Sequence, residues 1–218
     1  LSFQLSTMLP APPKEPSNIA ELFAFYHDYV KVLYSAVQTE NALPQEVLFE
    51  LNAAFDHLSR HWTYGELEDK VVRKCYGHLK RSCLDIFKIS VREARKKFDE
   101  LRKLDTSDID NGEYDRKLLA LFAEIRSGAT AARKLEGNGN ADPDGPIKAF
   151  DAWQPVYANC LRLETEFYHH AALDWSKRRW VKKYWKSTLI TVALTFFASY
   201  IGREFGSEIF RWFKQLLA

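Results

Sequence analysis

The feature that most constrains this chain is the run STLITVALTFFASYIG, residues 187–202, in which no side chain carries a charge. Such a stretch is either a helix packed inside protein or a helix that spans a bilayer. At 1.5 Å per residue it reaches about 24 Å, short of a hydrocarbon core of about 30 Å, so length alone does not choose. The flank does. Directly before the run, Lys177, Arg178, Arg179, Lys182, Lys183 and Lys186 alternate with Trp175, Trp180, Tyr184 and Trp185. Tryptophan and tyrosine favour the headgroup region, and lysine and arginine favour the cytoplasmic side and anionic lipid. The pattern therefore predicts one transmembrane helix over 187–202, with the lipid bilayer and its anionic lipid as a partner. By the positive-inside tendency the rest of the chain faces the cytoplasm. The expected location is the inner (cytoplasmic) membrane, single-pass, with bilayer thinning or lysine snorkelling absorbing the mismatch.

Two stripes run along this segment. Thr188, Thr191, Thr195 and Ser199 recur at spacings of three and four, which puts their hydroxyls on one helix face. Ala198, Gly202 and Gly206 form a small-residue series that permits close helix approach. The bland account is that the threonines bond their own i−4 carbonyls and the small residues are incidental. The functional account is packing between copies, with the hydroxyl face lining a wet pore in a larger ring. Beyond it Phe205, Ile209, Trp212, Phe213 and Leu216 mark an amphipathic tail.

The rest of the chain reads as helix. Residues 1–18 hold four prolines and no periodicity, and form a flexible arm. Met8, the single methionine, reads as the start of translation, and no signal peptide is visible before or after it. Asn18 with Glu21 resembles a capping box, and Ile19, Leu22, Tyr26, Tyr29, Val30, Leu33 and Val37 then follow helical spacing. A second helix runs from Pro44 to Gly65, a third over about 66–104, and a fourth stops at Gly137. EGNGNADPDGP is a linker by composition, and Pro155 is placed to open a new helix. Alternation of period two is absent. The fold class is all-α: a cytoplasmic bundle of four to five helices, one C-terminal transmembrane helix and a short amphipathic tail. The segments are an arm at 1–18, the bundle at 19–136, a linker at 137–146, a long helix with the basic-aromatic segment at 147–186, the span at 187–202 and the tail at 203–218.

Composition narrows the function. A hydrophobic content of 46% is enough to bury a core. Lysine plus arginine is 31 against 29 acidic residues, too balanced for a dedicated nucleic-acid binder, so no nucleic acid is expected. Cys75, Cys83 and Cys160 form no CxxC pair and read as buried free thiols of a reducing compartment.

Candidate chemistry is sparse. His57 and His61, four apart on a helix, are able to share a metal with His78 or Cys75, but Arg60, Lys80 and Arg81 would oppose a cation. Asn140, Asp142, Asp144 and Asp151 follow the spacing of a calcium loop, although the last position is Asp and two prolines intrude. A polar linker made of turn residues gives the same pattern. His169 and His170 are adjacent, so one is able to point inward while the other stays solvated. Asp56 and Asp85 sit beside cations and read as bundle ion pairs. No phosphate loop, nucleophile elbow or acid–base pair is found, so no catalytic residue, enzyme activity or cofactor is expected.

The layout, with the block LPQEVLFELNAAFDHLSRHW and the basic-aromatic anchor, resembles small membrane effectors of bacterial anti-phage systems. The resemblance implies a cytoplasmic module that senses a trigger and a membrane part that compromises the bilayer. On that reading the chain is a homo-oligomer, or binds an unidentified cytoplasmic protein partner, and clustered spans permeabilise the membrane. The alternative is a passive tail-anchored scaffold or adaptor. A third reading is a metal-dependent enzyme or calcium sensor.

Overall fold

The computed structural model describes residues 14–38, 44–107, 109–137 and 145–174, with 185, 188–200, 202, 203 and 206 further on. Among the described residues there is helix and no strand. Helix α1 (Ile19–Phe25) passes through a π turn, Tyr26–Val30, into α2 (Lys31–Val37). Its start is built as the sequence implied. Asn18 accepts the Glu21 N–H at 2.9 Å, and Glu21 reaches back to accept from the Ser17 N–H at 2.8 Å. Those bonds hold the Glu21 carboxyl below the usual carboxylate value. The π turn adds a residue to one helical turn, so Phe25, Tyr29, Val30 and Leu33 all point into the core.

Helix α3 (Gln45–Tyr64) ends at Gly65, whose φ of 66° is the left-handed conformation that glycine adopts without strain. Helix α4 (Glu68–Leu101) is the long central rod, about 50 Å at 1.5 Å per residue. Its stripe Val71, Cys75, Leu79, Cys83, Ile86, Phe87, Ala94 and Leu101 is buried, with α3 on one side and α6 on another. Asp110, Asn111 and Gly112 then take three successive positive φ values, 48°, 54° and 81°. Asp and Asn tolerate that region because their short side chains bond locally. The stretch DTSDIDNGEYD, residues 105–115, is rich in turn-forming residues and reads as a loop, but α5 (Glu113–Gly137) already starts inside it. Tyr114 anchors that start by donating its hydroxyl to the Phe167 carbonyl at 3.0 Å.

Helix α6 (Gly145–Arg162) continues through a second π turn, Leu163–Tyr168. Pro155 lies inside α6 and opens no new helix. A proline here costs an i−4 hydrogen bond, but Phe150, Trp153, Val156 and Tyr157 are buried on both sides of it. Their packing carries the helix across the break. The second half of the chain therefore shares one core with the first: Phe87 packs its ring against Phe150 at 5.9 Å and Tyr157 at 5.2 Å. Phe98 stacks on Phe122 at 3.9 Å, tying α4 to α5. All three cysteines are buried free thiols.

The transmembrane helix expected over 187–202 is not borne out. Among the described residues no helix is long and apolar enough to cross a membrane. The described part of this run, 188–200, is helical and rises about 20 Å against about 30 Å of hydrocarbon. The single-pass inner-membrane location loses its basis with the span. Lack of charge specified an uncharged surface, not a length. The flanking Trp175, Lys177, Arg178, Arg179, Trp180, Lys182, Lys183, Tyr184 and Lys186 lie outside the described residues, while Trp185 is exposed. Residues 1–13 of the arm, Met8 among them, and the tail residues Phe205, Ile209, Trp212, Phe213 and Leu216 also lie outside them.

Helices α5 and α6 approach closely at Gly128, where a Cβ would fall 2.8 Å from the Val156 Cγ2. Valine is short and stiff at χ1, so it yields little. Gly128→Leu is expected to cost about 1–3 kcal/mol in thermal or urea unfolding, with Val156→Ala recovering part of the loss in a double-mutant cycle. Strictly additive losses would show that the two positions do not meet.

Candidate functional site

The histidines proposed as metal ligands gather at the α3–α4 seam. His57 and His78 face each other with ring centroids 5.1 Å apart. The His78 Nδ1 lies 2.7 Å from the Glu50 carboxylate, which also accepts from the Arg81 Nε at 3.2 Å. His61 turns away, its Nδ1 2.8 Å from the Glu66 carbonyl. Cys75 is committed elsewhere, donating its thiol to the Ala54 carbonyl at 3.1 Å. Among the described residues no group of three His, Cys, Asp or Glu side chains is arranged to hold a metal. Arg81 and Lys74 add positive charge beside the pair. The arrangement suits an ion-pair network that ties α3 to α4.

The calcium-loop pattern is placed only in part. Asn140, Asp142 and Asp144 lie outside the described residues. Residues from Gly145 onward already belong to α6, and Asp151 sits exposed on it. His170 packs edge-on against Tyr114 at 5.4 Å, whereas His169 is solvent-facing, 3.7 Å from Glu164. Asp56 pairs with Arg60 at 2.8 Å; Asp85 is 3.4 Å from Lys88, which also reaches Glu136 at 2.6 Å.

What stands out is a surface. At 100° per residue, Gln45, Leu48, Asn52, Phe55, Ser59, Trp62 and Thr63 share one flanking arc of α3, and none is charged. Leu48, Phe55 and Trp62, seven residues apart, are 50%, 55% and 65% exposed. The charged residues of α3 lie off this arc: Glu50 is spent on His78 and Arg81 of α4, and Asp56 pairs with Arg60 on the solvent side. Beside this arc an apolar groove opens between α1 and α3. Phe23, Tyr26 and Phe55 form its rims, and Leu51, Leu58 and Leu79 line its floor. Helical spacing groups Phe55 and Trp62 with Val47, Leu51, Ala54 and Leu58 on one inward face, whereas the structure leaves both exposed. The missing charge at Asn52 and Ser59 was the available signal.

The second surface is the 188–200 helix, every residue of which is exposed. Leu189, Ile190, Leu194, Phe196, Phe197 and Tyr200 cover one broad arc. Thr188, Thr191, Thr195 and Ser199 lie opposite, and the Thr195 hydroxyl donates to the Thr191 carbonyl at 2.8 Å. That bond is the self-satisfied arrangement weighed against a pore lining. Ala198 lies beside Ser199, and a Cβ at Gly202 or Gly206 would meet nothing within 4 Å.

Fold and surface together describe an all-helical bundle with two uncharged helix faces open to solvent. Compared with protein-family models, with curated proteins and with solved structures, the chain gives no match.

Burial first, then His78, Lys74 and Arg60, hold His57 below the ordinary imidazole value. An unfolded chain takes up this proton near pH 6.5 while the fold resists it, so stability is intact above that pH and falls below it. Melting temperature is expected to drop between pH 7 and pH 5, and His57→Gln to flatten the drop. Equal slopes in both proteins would remove His57 from the account.

Proposed function

We propose that this chain is a non-enzymatic helical scaffold that assembles with further copies of itself through the 188–200 helix. One observation carries the reading: six large apolar side chains and no charge are presented together on a helix with every residue exposed. Monomeric proteins rarely leave apolar patches beyond about 300–600 Å² uncovered. The side chains named here expose roughly 800 Å², judged from their fractional exposures and the usual areas of such residues. A second copy brings the same uncharged surface, so neither partner has to strip a charge of water.

The permeabilising step of the membrane-effector reading depended on a span and falls with it. Assembly does not, because an apolar helix seeks cover whether or not it crosses a bilayer. The hydroxyl arc supports this: a helix that covers one side with protein can leave Thr188, Thr195 and Ser199 to water.

The test is the mass of the full chain in solution, by light scattering after size exclusion, against Phe196→Glu/Phe197→Glu. The full chain is expected to run as a dimer or larger at tens of micromolar. The double variant is expected to be monomeric with unchanged helical circular dichroism. A monomeric full chain would sink the proposal, as would a monomer that instead sediments with neutral lipid vesicles.

A further inference from the structure

We infer that the 188–200 helix of one copy lies on the uncharged Leu48–Phe55–Trp62 flank of α3 of a second copy, and that the exchange is reciprocal. The inference rests on the self-assembly reading and adds the receiving surface. Three observations bring the two faces together.

The first is charge. The flank of α3 that carries Leu48, Phe55 and Trp62 has none, Asp56 and Arg60 lying to one side of it, and neither has the apolar arc of the 188–200 helix. Contact between them desolvates no ion. The second is length. Leu48 to Trp62 spans about 21 Å along α3 and Leu189 to Tyr200 about 17 Å, at 1.5 Å per residue. The third is shape. Phe55 and Phe23 stand at the edges of the small α1–α3 groove, half-exposed above a floor of leucines, a notch able to take the tip of one apolar side chain from an opposing helix. Leu48, Phe55 and Trp62 supply one seam at heptad spacing, and Leu189, Phe196 and Tyr200, or Ile190 and Phe197, supply the other.

The occupant is a second copy and not the same chain, because within one chain the 188–200 helix stays exposed along its whole length. Reciprocity follows from area. One helix on one α3 face buries about 900 Å² in total, below what a stable interface usually needs, whereas two such contacts about a twofold axis reach roughly 1,800 Å².

Complementation between two full-length variants tests this. Variant one carries Phe55→Asp/Trp62→Asp on α3; variant two carries Phe196→Glu/Phe197→Glu on the 188–200 helix. The four positions are exposed, so folding is expected to survive, and circular dichroism and melting temperature check it. Each variant alone is expected to be monomeric. An equimolar mixture is expected to recover a dimer, since the intact 188–200 helix of the first meets the intact α3 of the second. With one contact in place of two, the mixture needs at least tenfold higher concentration than the unaltered chain.

If variant one stays dimeric, the 188–200 helices pair with each other: self-assembly survives and the α3 assignment is overturned. If variant two stays dimeric, assembly runs through α3 alone and both statements are overturned. A mixture that remains monomeric, with both variants folded, also overturns the exchange.

Discussion

The structure depends on the burial of one face of α4 along its whole length. Phe87 sits at the middle of that face, fully buried, with its ring against Phe150 and Tyr157 of α6. Phe150 in turn meets Tyr29 at 6.0 Å, so a single aromatic cluster joins α4, α6 and the helix of α1 and α2. Loss of a ring such as this in a core costs about 3–5 kcal/mol, a large part of the stability of a domain of this size. Long cations seal the seams around it. Lys80 lies over the rings of Tyr76 and Phe150, and Lys97 over Tyr168. Burial pulls Lys80 below the ordinary lysine value, which fits an ammonium held against aromatic faces.

That central rod also explains the surface. Because α4 collects Glu50 through His78 and Arg81, and Asp56 closes on Arg60 one turn along, the flank of α3 that carries Leu48, Phe55 and Trp62 has no charge to display. Leu48, Phe55 and Trp62 remain there, supported from beneath by Leu51 and Leu58 and themselves exposed. An exposed, contiguous apolar stripe on a rigid helix is a feature that function has to account for. The 188–200 helix poses the same question from the other end of the sequence, which is why one answer serves both.

Much of this was legible before any coordinates. The Asn18 start, the Gly65 stop, the length of α4 and the burial of the cysteines follow from local chemistry: caps, left-handed glycine and a 3.6-residue stripe. What was not legible depends on contacts far apart in sequence. Pro155 looks like a boundary until Trp153 and Val156 are seen packed on either side of it. The two π turns move the apolar register by one residue, a change that periodicity blurs into noise. The 187–202 run misled for a different reason. Uncharged sequence states what a helix will not face, namely bare charge, and leaves open whether lipid or protein covers it. His57 and His78 are 21 positions apart, and only the α3–α4 pairing brings them into contact.

The three thiols give the molecule a built-in clock. Burial pushes Cys75 up to about 11 and Cys160 to about 12, so in the closed state each is a protonated, unreactive sulfur. Reaction with a thiol reagent at neutral pH therefore requires the protein to open around it. The sulfurs sit in different neighbourhoods: Cys75 under α3, Cys83 in the centre of α4 and Cys160 on α6. The order and speed with which they become labelled would record which part of the bundle breathes first, without adding any probe.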